Sequence, residues 1–217
     1  MTALVLDFDG TITDEDFFVY LKEAYFDDNA LAPWRQYLNG DISHFEALRQ
    51  MFGMLRIPVE ELDALISTVK VDDWVRPLFE LCYKMGVPMY IASAGCDYYI
   101  KRILGKEINK YNITLVTNGS TYTQKAGLKI TAPPEDSQYY NKDVGISKRA
   151  VVEGLVSSDY DVVFAGDGPP DIEPAIIATH VFAKKMLLEA CKERGINTLP
   201  FDSCLDIYNF LKRSVAV

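Results

Sequence analysis

Asp7-Phe8-Asp9-Gly10-Thr11 places two carboxylates two residues apart at the end of a short apolar run, Leu4 to Phe8. Residues i and i+2 of a strand point to the same side, so Asp7 and Asp9 are predicted to face one site. Two carboxylates at a strand end suit two tasks. One can attack as a nucleophile and form an acyl phosphate. The other can protonate a leaving oxygen and then activate water. Gly10 lets the chain turn away sharply. An acidic turn after a strand would have the same composition, so the pentapeptide needs support from elsewhere in the chain.

Three further groups supply it. Gly166-Asp167-Gly168-Pro169-Pro170-Asp171 follows the most clearly apolar run of the sequence, and Asp167 and Asp171 are hard oxygen donors of the kind Mg²⁺ prefers. Ser93, in Ala92-Ser93-Ala94-Gly95, is predicted at a strand end, where a hydroxyl and nearby N–H groups can hold a phosphate oxygen; a plain helix cap would read the same. Lys148, in Gly145-Ile146-Ser147-Lys148, falls in the first turn of a predicted helix, where the helix dipole disfavours a cation. A local rule broken in this way points towards a site, and a lysine there could offset charge on reacting oxygens.

The elements that must position these residues alternate. Apolar runs predict strands at Leu4 to Phe8, Val87 to Ser93, Ile113 to Thr117, Asp161 to Gly166 and Thr179 to Ala183. Helical spacing falls between and after them, at Arg76 to Met85, Tyr98 to Leu104, Ile146 to Val156, Lys184 to Arg194 and Leu205 to Leu211. Such alternation implies an α/β core, a Rossmann-like parallel sheet covered on both faces. The stretch 15–72 breaks the pattern. Phe45, Leu48, Phe52 and Leu55 recur at helical steps, Glu60 to Val69 forms another helical stretch, and Trp34, Tyr37 and Leu38 suggest a short one before Asn39-Gly40. We read 15–72 as a small helical cap inserted into a core made of 1–14 and 73–217. The region from Gly119 to Val144 is expected to be a hairpin followed by a long loop.

Bulk composition narrows the partners. The net charge is −9 over 217 residues, which repels polyanions at long range and argues against nucleic acid. No apolar run approaches the ~20 residues of a membrane span. Cys82, Cys96, Cys191 and Cys204 are scattered without C-x-x-C spacing; they read as buried free thiols rather than a zinc or redox site. With no signal-like start, the expected location is cytoplasmic. His44 and His180 have no Gly-x-Ser-x-Gly partner and are read as surface or packing residues.

Taken in order, Asp-x-Asp-Gly-Thr, a serine after a strand, a lysine, and Gly-Asp-Gly-x-x-Asp resemble the motifs of the haloacid dehalogenase superfamily, and they run from Asp7 to Asp171. The resemblance implies a phosphatase with a cap of the first (C1) type, acting on a small phosphorylated metabolite with Mg²⁺ as cofactor. It implies Asp7 as nucleophile and Asp9 as acid and base. Asp7, the backbone carbonyl of Asp9, and Asp167 would hold the metal, with Asp171 supporting its shell. Thr11, Ser93 and Lys148 would hold the phosphoryl group.

Met51-Phe52-Gly53-Met54-Leu55, the run from Phe182 to Cys191, and Asn197-Thr198-Leu199-Pro200-Phe201 further resemble the 2-hydroxy-3-keto-5-methylthiopentenyl-1-phosphate phosphatases. That group often carries a cysteine-rich segment before the lysine, and Gly119 to Val144 contains no cysteine. Phosphoserine phosphatases are the nearest competitor. Their cap uses an acid for the substrate amine, near Asp16 here, and an arginine for the carboxylate, where Met51 falls with Arg49 close by. Losing that clamp counts against phosphoserine. Asp16, Phe17, Phe18, Met51 and Phe52 are the expected substrate contacts, although the aromatic pair Phe17 and Phe18 could equally be cap core. A phosphomutase shares the nucleophile and cap type. A non-catalytic phosphate sensor would be expected to have lost some of Asp7, Asp9, Lys148 or Asp167.

Overall fold

The computed structural model describes residues 1–214; the last three positions of the segment expected to run to 217 lie outside the described residues. In chain order the elements are β1 (Thr2–Leu6), α1 (Phe17–Tyr25), α2 (Ala32–Leu38), α3 (His44–Gly53), α4 (Val59–Ser67), α5 (Val75–Met85), β2 (Met89–Cys96), α6 (Asp97–Lys110), β3 (Thr114–Thr123), β4 (Gly127–Thr131), β5 (Tyr140–Asn141), β6 (Gly145–Ile146), α7 (Lys148–Val156), β7 (Asp161–Gly166), α8 (Ile172–Ile177), β8 (His180–Ala183), α9 (Lys185–Glu193), β9 (Leu199–Pro200) and α10 (Cys204–Ser214).

Among the described residues the main sheet has seven strands in the order β4-β3-β2-β1-β7-β8-β9. Every neighbouring pair is parallel except β3 with β4, which form a hairpin. β1 sits between β2 and β7, so connections leave it to either side. The crevice beyond the carboxyl ends of strands at such a reversal is where open α/β sheets bind ligands.

Alternation along β1 builds two cores. Leu4 and Leu6 pack on one face with Ile91, Val163, Phe79 and Ile207. Ala3 and Val5 pack on the other with Val151, Val162, Phe164 and Leu187. The strand is buried on both sides, which explains its continuous apolar run. Burying a side chain of this size is worth about 1.5–3 kcal/mol, so β1 is a rigid mount for whatever follows it.

Helices α1 to α4 interrupt the core between β1 and α5. The two chain crossings lie side by side: Thr13 and Val71 form an isolated bridge, Asp14 N–H donates to Lys70 O at 3.1 Å, and Asp72 N–H donates to Ile12 O at 2.9 Å. Phe17, Leu21, Leu48, Phe52, Leu55, Leu62 and Ile66 join the core on the Leu4 and Leu6 face of the sheet. The region from Gly119 to Val144 holds the paired part of the β3–β4 hairpin and, in place of part of the expected loop, β5, which pairs with β6 just beyond it. Both reach the inserted helices. Tyr122 Oη donates to Ile57 O, and Phe45 N–H donates to Asp143 O at 2.8 Å.

Local chemistry shifts two predicted helix starts. The helix expected from Ile146 begins at Lys148, because Ser147 caps it by accepting from Ala150 N–H at 3.1 Å and Ile146 pairs with Tyr140 instead. The helix expected from Lys184 begins at Lys185, whose φ of 48° is left-handed. No helix among the described residues is long and apolar enough to cross a membrane, and all four cysteines are buried and unpaired.

Candidate active site

The residues singled out in the sequence come from different elements and converge at the carboxyl ends of β1, β2 and β7. Asp7 directly follows β1, and its N–H donates to Ala165 O of β7 at 2.9 Å. Its side chain is buried, 4% exposed. Lys148 Nζ donates to Asp7 Oδ1 and to Asp171 Oδ1, both at 2.6 Å. Thr11 Oγ1 donates to Asp7 Oδ2 at 3.3 Å. Lys148 is itself buried, so two carboxylates hold a cation at the helix end that should repel it. The burial of Lys148 works against its charge, but Asp171 and Asp7 outweigh this and raise its pKa.

Asp171 is fully engaged. Besides Lys148, its Oδ2 accepts the N–H groups of Asp167 and Gly168, each at 3.1 Å. The proline pair before it forms a short 3-10 turn, Pro169–Asp171, which leads into α8. Asp167 Oδ2 faces Lys185 Nζ at 3.1 Å.

Asp9 is gripped from three directions. Phe17 N–H, at the start of α1, donates to Oδ1 at 3.0 Å. Ser93 Oγ donates to Oδ2 at 3.2 Å, and Tyr99 Oη, from α6, donates to the same oxygen at 2.6 Å. Two glycines make room. A Cβ at Gly95 would lie 1.6 Å from Tyr99 Oη, and one at Gly10 would lie 2.2 Å from Asp167 Oδ2. Gly10 also has φ +70°, which L side chains rarely adopt.

Ser93, fully buried, accepts from Gly95 N–H at 3.0 Å. Behind it lies Asn118, with no exposed surface, whose Nδ2 donates to Ala94 O at 2.9 Å and Gly95 O at 3.0 Å and reaches Val144 O at 3.5 Å. One side chain thus ties the end of β2, after Ser93, to the turn that leads into Lys148.

Electrostatics follow from crowding. Burial, then Asp171, raise the Asp7 carboxyl well above its usual range, with Lys148 opposing. Burial raises Asp9, and the hydrogen bonds from Tyr99, Phe17 and Ser93 partly offset it. Burial and Asp171 raise Asp167. Asp16 is exposed at the cavity, yet desolvation by the atoms crowded around its carboxyl, then the nearby charges of Asp9 and Asp167, push that carboxyl up to about 7. Acids that resist ionisation together are a setting for a divalent cation, which would relieve the repulsion. Asp7, Asp167 and Asp171 each present an oxygen within 4.8 Å of the others. The donor set, all carboxylate, fits a hard cation.

These groups form one end of a cavity of about 350 Å³. The other end is apolar and comes from α1, α2 and α3: Phe18, Trp34, Tyr37, Leu38, His44, Leu48 and Phe52 line it. Trp34 stacks on Phe18 at 4.5 Å between ring centroids. The expected substrate contacts divide. Asp16, Phe18 and Phe52 line the cavity. Phe17 and Met51 do not line it. Phe17 is 1% exposed and packs on Tyr99 at 4.4 Å, and Met51 is 0% exposed. Their helix faces point into the core and away from the cavity. Arg49 pairs with Glu46 at 2.7 Å and lines a separate groove with Lys129. The sequence reading missed Tyr99, Asn118 and His44. Tyr99 and Asn118 carried no local signal, since each acts through a distant chain segment. His44, read as a surface or packing residue, lines the cavity.

Comparison with known proteins agrees with this geometry. The family model described as haloacid dehalogenase-like hydrolase matches residues 4–175, and the chain belongs to that family. A 2-hydroxy-3-keto-5-methylthiopentenyl-1-phosphate phosphatase of Geobacillus thermodenitrificans (strain NG80-2) is 28% identical over 213 residues, covering 97% of this chain and 96% of the relative. Pdp3-interacting factor 1 of Schizosaccharomyces pombe is 28% identical, covering 95% and 93%. A substrate-bound phosphoserine phosphatase structure superposes with a TM-score of 0.67 at 16% identity, covering 97% and 98%; that likeness shows a shared fold. The chain is an enzyme, and its class is phosphatase.

Proposed function

We propose that this phosphatase hydrolyses a small phosphomonoester in two steps through phosphorylated Asp7. The observation that supports this most strongly is the buried contact of Asp7 with Lys148 at 2.6 Å, with Asp9 two residues on at the same cavity. Lys148 offsets the repulsion between the Asp7 carboxylate and a phosphate dianion. In the first step an Asp7 carboxylate oxygen bonds to phosphorus, the bond from phosphorus to the alcohol oxygen breaks, and Asp9 delivers its proton to that oxygen. In the second step water bonds to phosphorus, Asp9 takes its proton, and the bond to Asp7 breaks to release inorganic phosphate. Positioning and electrostatics carry most of such a reaction.

Mg²⁺ is the proposed cofactor. Asp7, the backbone carbonyl of Asp9, and Asp167 would hold it, and its charge would stabilise the phosphoryl oxygens. Asp171, with both oxygens bonded to Lys148 and backbone N–H groups, is a support for the metal shell. Thr11 and Ser93 flank the two catalytic carboxylates and are the proposed phosphate-holding hydroxyls.

The substrate we favour is the 2-hydroxy-3-keto-5-methylthiopentenyl-1-phosphate type, or a near analogue. Relatives of that name that align along nearly the full chain support it, as does the apolar lining from α2 and α3. Phosphoserine is disfavoured, because the arginine nearest the expected clamp position is tied to Glu46. Four buried free cysteines support a cytoplasmic location. The test is phosphate release from a panel of monoesters, with and without Mg²⁺, by wild type and Asp7→Asn. Release that requires both metal and Asp7 is expected; release independent of either would overturn the proposal.

A further inference from the structure

His44 occupies the first position of α3 after Ser43, whose side chain accepts from Glu46 N–H. Its ring stands edge-on to Trp34 at 5.8 Å and to Tyr37 at 5.3 Å. With the Tyr37 hydroxyl it interrupts an otherwise apolar wall, and α2 and α3 contribute no charged side chain to the cavity. Its Nδ1 is closed off from solvent and has no hydrogen-bond partner. Nε2 makes no hydrogen bond among the described residues and is not closed off, so it is the ring nitrogen that opens to the cavity.

Burial lowers the His44 pKa to about 4, so the ring is neutral and carries one N–H donor and one acceptor. A donor shut in without an acceptor loses its hydrogen bond outright. The proton therefore sits on Nε2, facing the cavity, and Nδ1 is the bare nitrogen.

We propose that His44 is a specificity residue whose Nε2–H donates to an uncharged oxygen, hydroxyl or carbonyl, on the alcohol half of the substrate. The substrate class that follows is the phosphate ester of a small hydroxy- or keto-alcohol with an apolar remainder and no carboxylate. This rests on the phosphatase reading and narrows it. A carboxylate would meet no cation on this wall, and a purely hydrocarbon alcohol would leave the imidazole N–H unpaired against apolar surface once water is excluded.

Two measurements test the proposal in the intact protein. The first compares kcat/KM for dihydroxyacetone phosphate and n-propyl phosphate in wild type, His44→Gln, His44→Asn and His44→Leu. The glutamine amide reaches about as far as Nε2, whereas the asparagine amide reaches about as far as Nδ1. The ratio of the two substrates is expected to fall roughly tenfold in the Leu and Asn variants, the effect of one neutral hydrogen bond, and to recover in His44→Gln. An unchanged ratio in all four proteins would overturn the proposal and make His44 a packing residue. The second measurement is the ¹⁵N spectrum of the His44 ring at pH 7, which needs no turnover. A neutral ring protonated on Nε2 is expected; an Nδ1–H tautomer or an imidazolium would overturn the donor assignment. If neither ester is hydrolysed, the wider monoester panel decides on the proposed function separately, and the ring spectrum still decides on the donor.

Discussion

Tyr99 Oη lies 2.6 Å from Asp9 Oδ2 and donates to it. The tyrosine is 1% exposed and stacked on Phe17, whose own N–H holds the other oxygen of Asp9. The side chain proposed to move protons is thus fixed by an aromatic pair that spans α6 and the first inserted helix. A hydrogen bond to a charged group is worth about 1.5–3 kcal/mol, or about ten- to a hundredfold in rate. Tyr99→Phe should lower kcat by roughly that factor for alkyl phosphates. For p-nitrophenyl phosphate, whose leaving group needs no proton, the loss in the rate of the first step, read as the burst of released alcohol, should be smaller. Equal losses of that first-step rate on both substrates would mean that Tyr99 does not act through Asp9.

Asn118 is the second residue that acts at a distance. Replacing it with alanine leaves the carbonyls of Ala94 and Gly95 without their side-chain donor, at about 1–3 kcal/mol of stability for a buried unpaired group. The end of β2 after Ser93 and the turn before Lys148 lose their common tie. Asn118→Ala is expected to lower the unfolding midpoint and to raise KM for phosphate esters. A variant with a lowered midpoint and wild-type KM would reduce Asn118 to a packing role.

The run from Asp161 to Gly166 predicts a strand and is β7 from end to end, because a strand buried on both faces needs an unbroken apolar run. The candidate motifs at Asp7, Ser93 and Asp167 are legible for a related reason: each lies at the end of an apolar run, so spacing and position coincide, whereas Lys148 opens a helix. What stayed hidden depends on contacts across the chain. β9 is two exposed residues that pair with β8, too short to leave a pattern. Phe17 and Met51 were expected at the substrate, yet their neighbours Phe18 and Phe52 line the cavity instead. On a helix one residue turns the side chain by about 100°, so naming the right turn of helix does not name the right face. The burial of Lys148 could be suspected from its place against the helix dipole, but its two carboxylate partners are 141 and 23 residues away.

Lys148 offers a direct test of the buried charge cluster. Lys148→Met keeps much of the volume and removes the charge that Asp7 and Asp171 share. Breaking a buried ion pair from one side costs about 3–5 kcal/mol. The variant should be inactive and destabilised at pH 7, and should regain stability towards pH 5 as a crowded carboxyl takes up a proton. Denaturant unfolding at the two pH values checks this; a loss of stability that is the same at both would contradict it.

Asp16 gives a prediction whose sign is fixed by linkage. Its carboxyl sits at about 7 in the folded protein against about 3.9 in an unfolded chain. Between these values the folded state holds a proton that the unfolded state has released, so this group lowers stability as pH rises from about 4 to 7. In metal-free protein Asp16→Asn should raise Tm at pH 8 and leave it near wild type at pH 4. Parallel Tm curves for the two proteins would show that Asp16 is not held in its neutral form.

The most direct test of the two-step mechanism is to trap the phosphorylated enzyme. Asp9→Asn removes the base for the second step and should let the intermediate accumulate, above all with an aryl phosphate that needs no acid. The protein is mixed with ³²P-labelled p-nitrophenyl phosphate and Mg²⁺, quenched in acid and digested. Label on the peptide that contains Asp7, lost in the Asp7→Asn, Asp9→Asn double variant, is the expected result. Turnover without labelled protein, or label on another residue, would contradict Asp7 as the nucleophile.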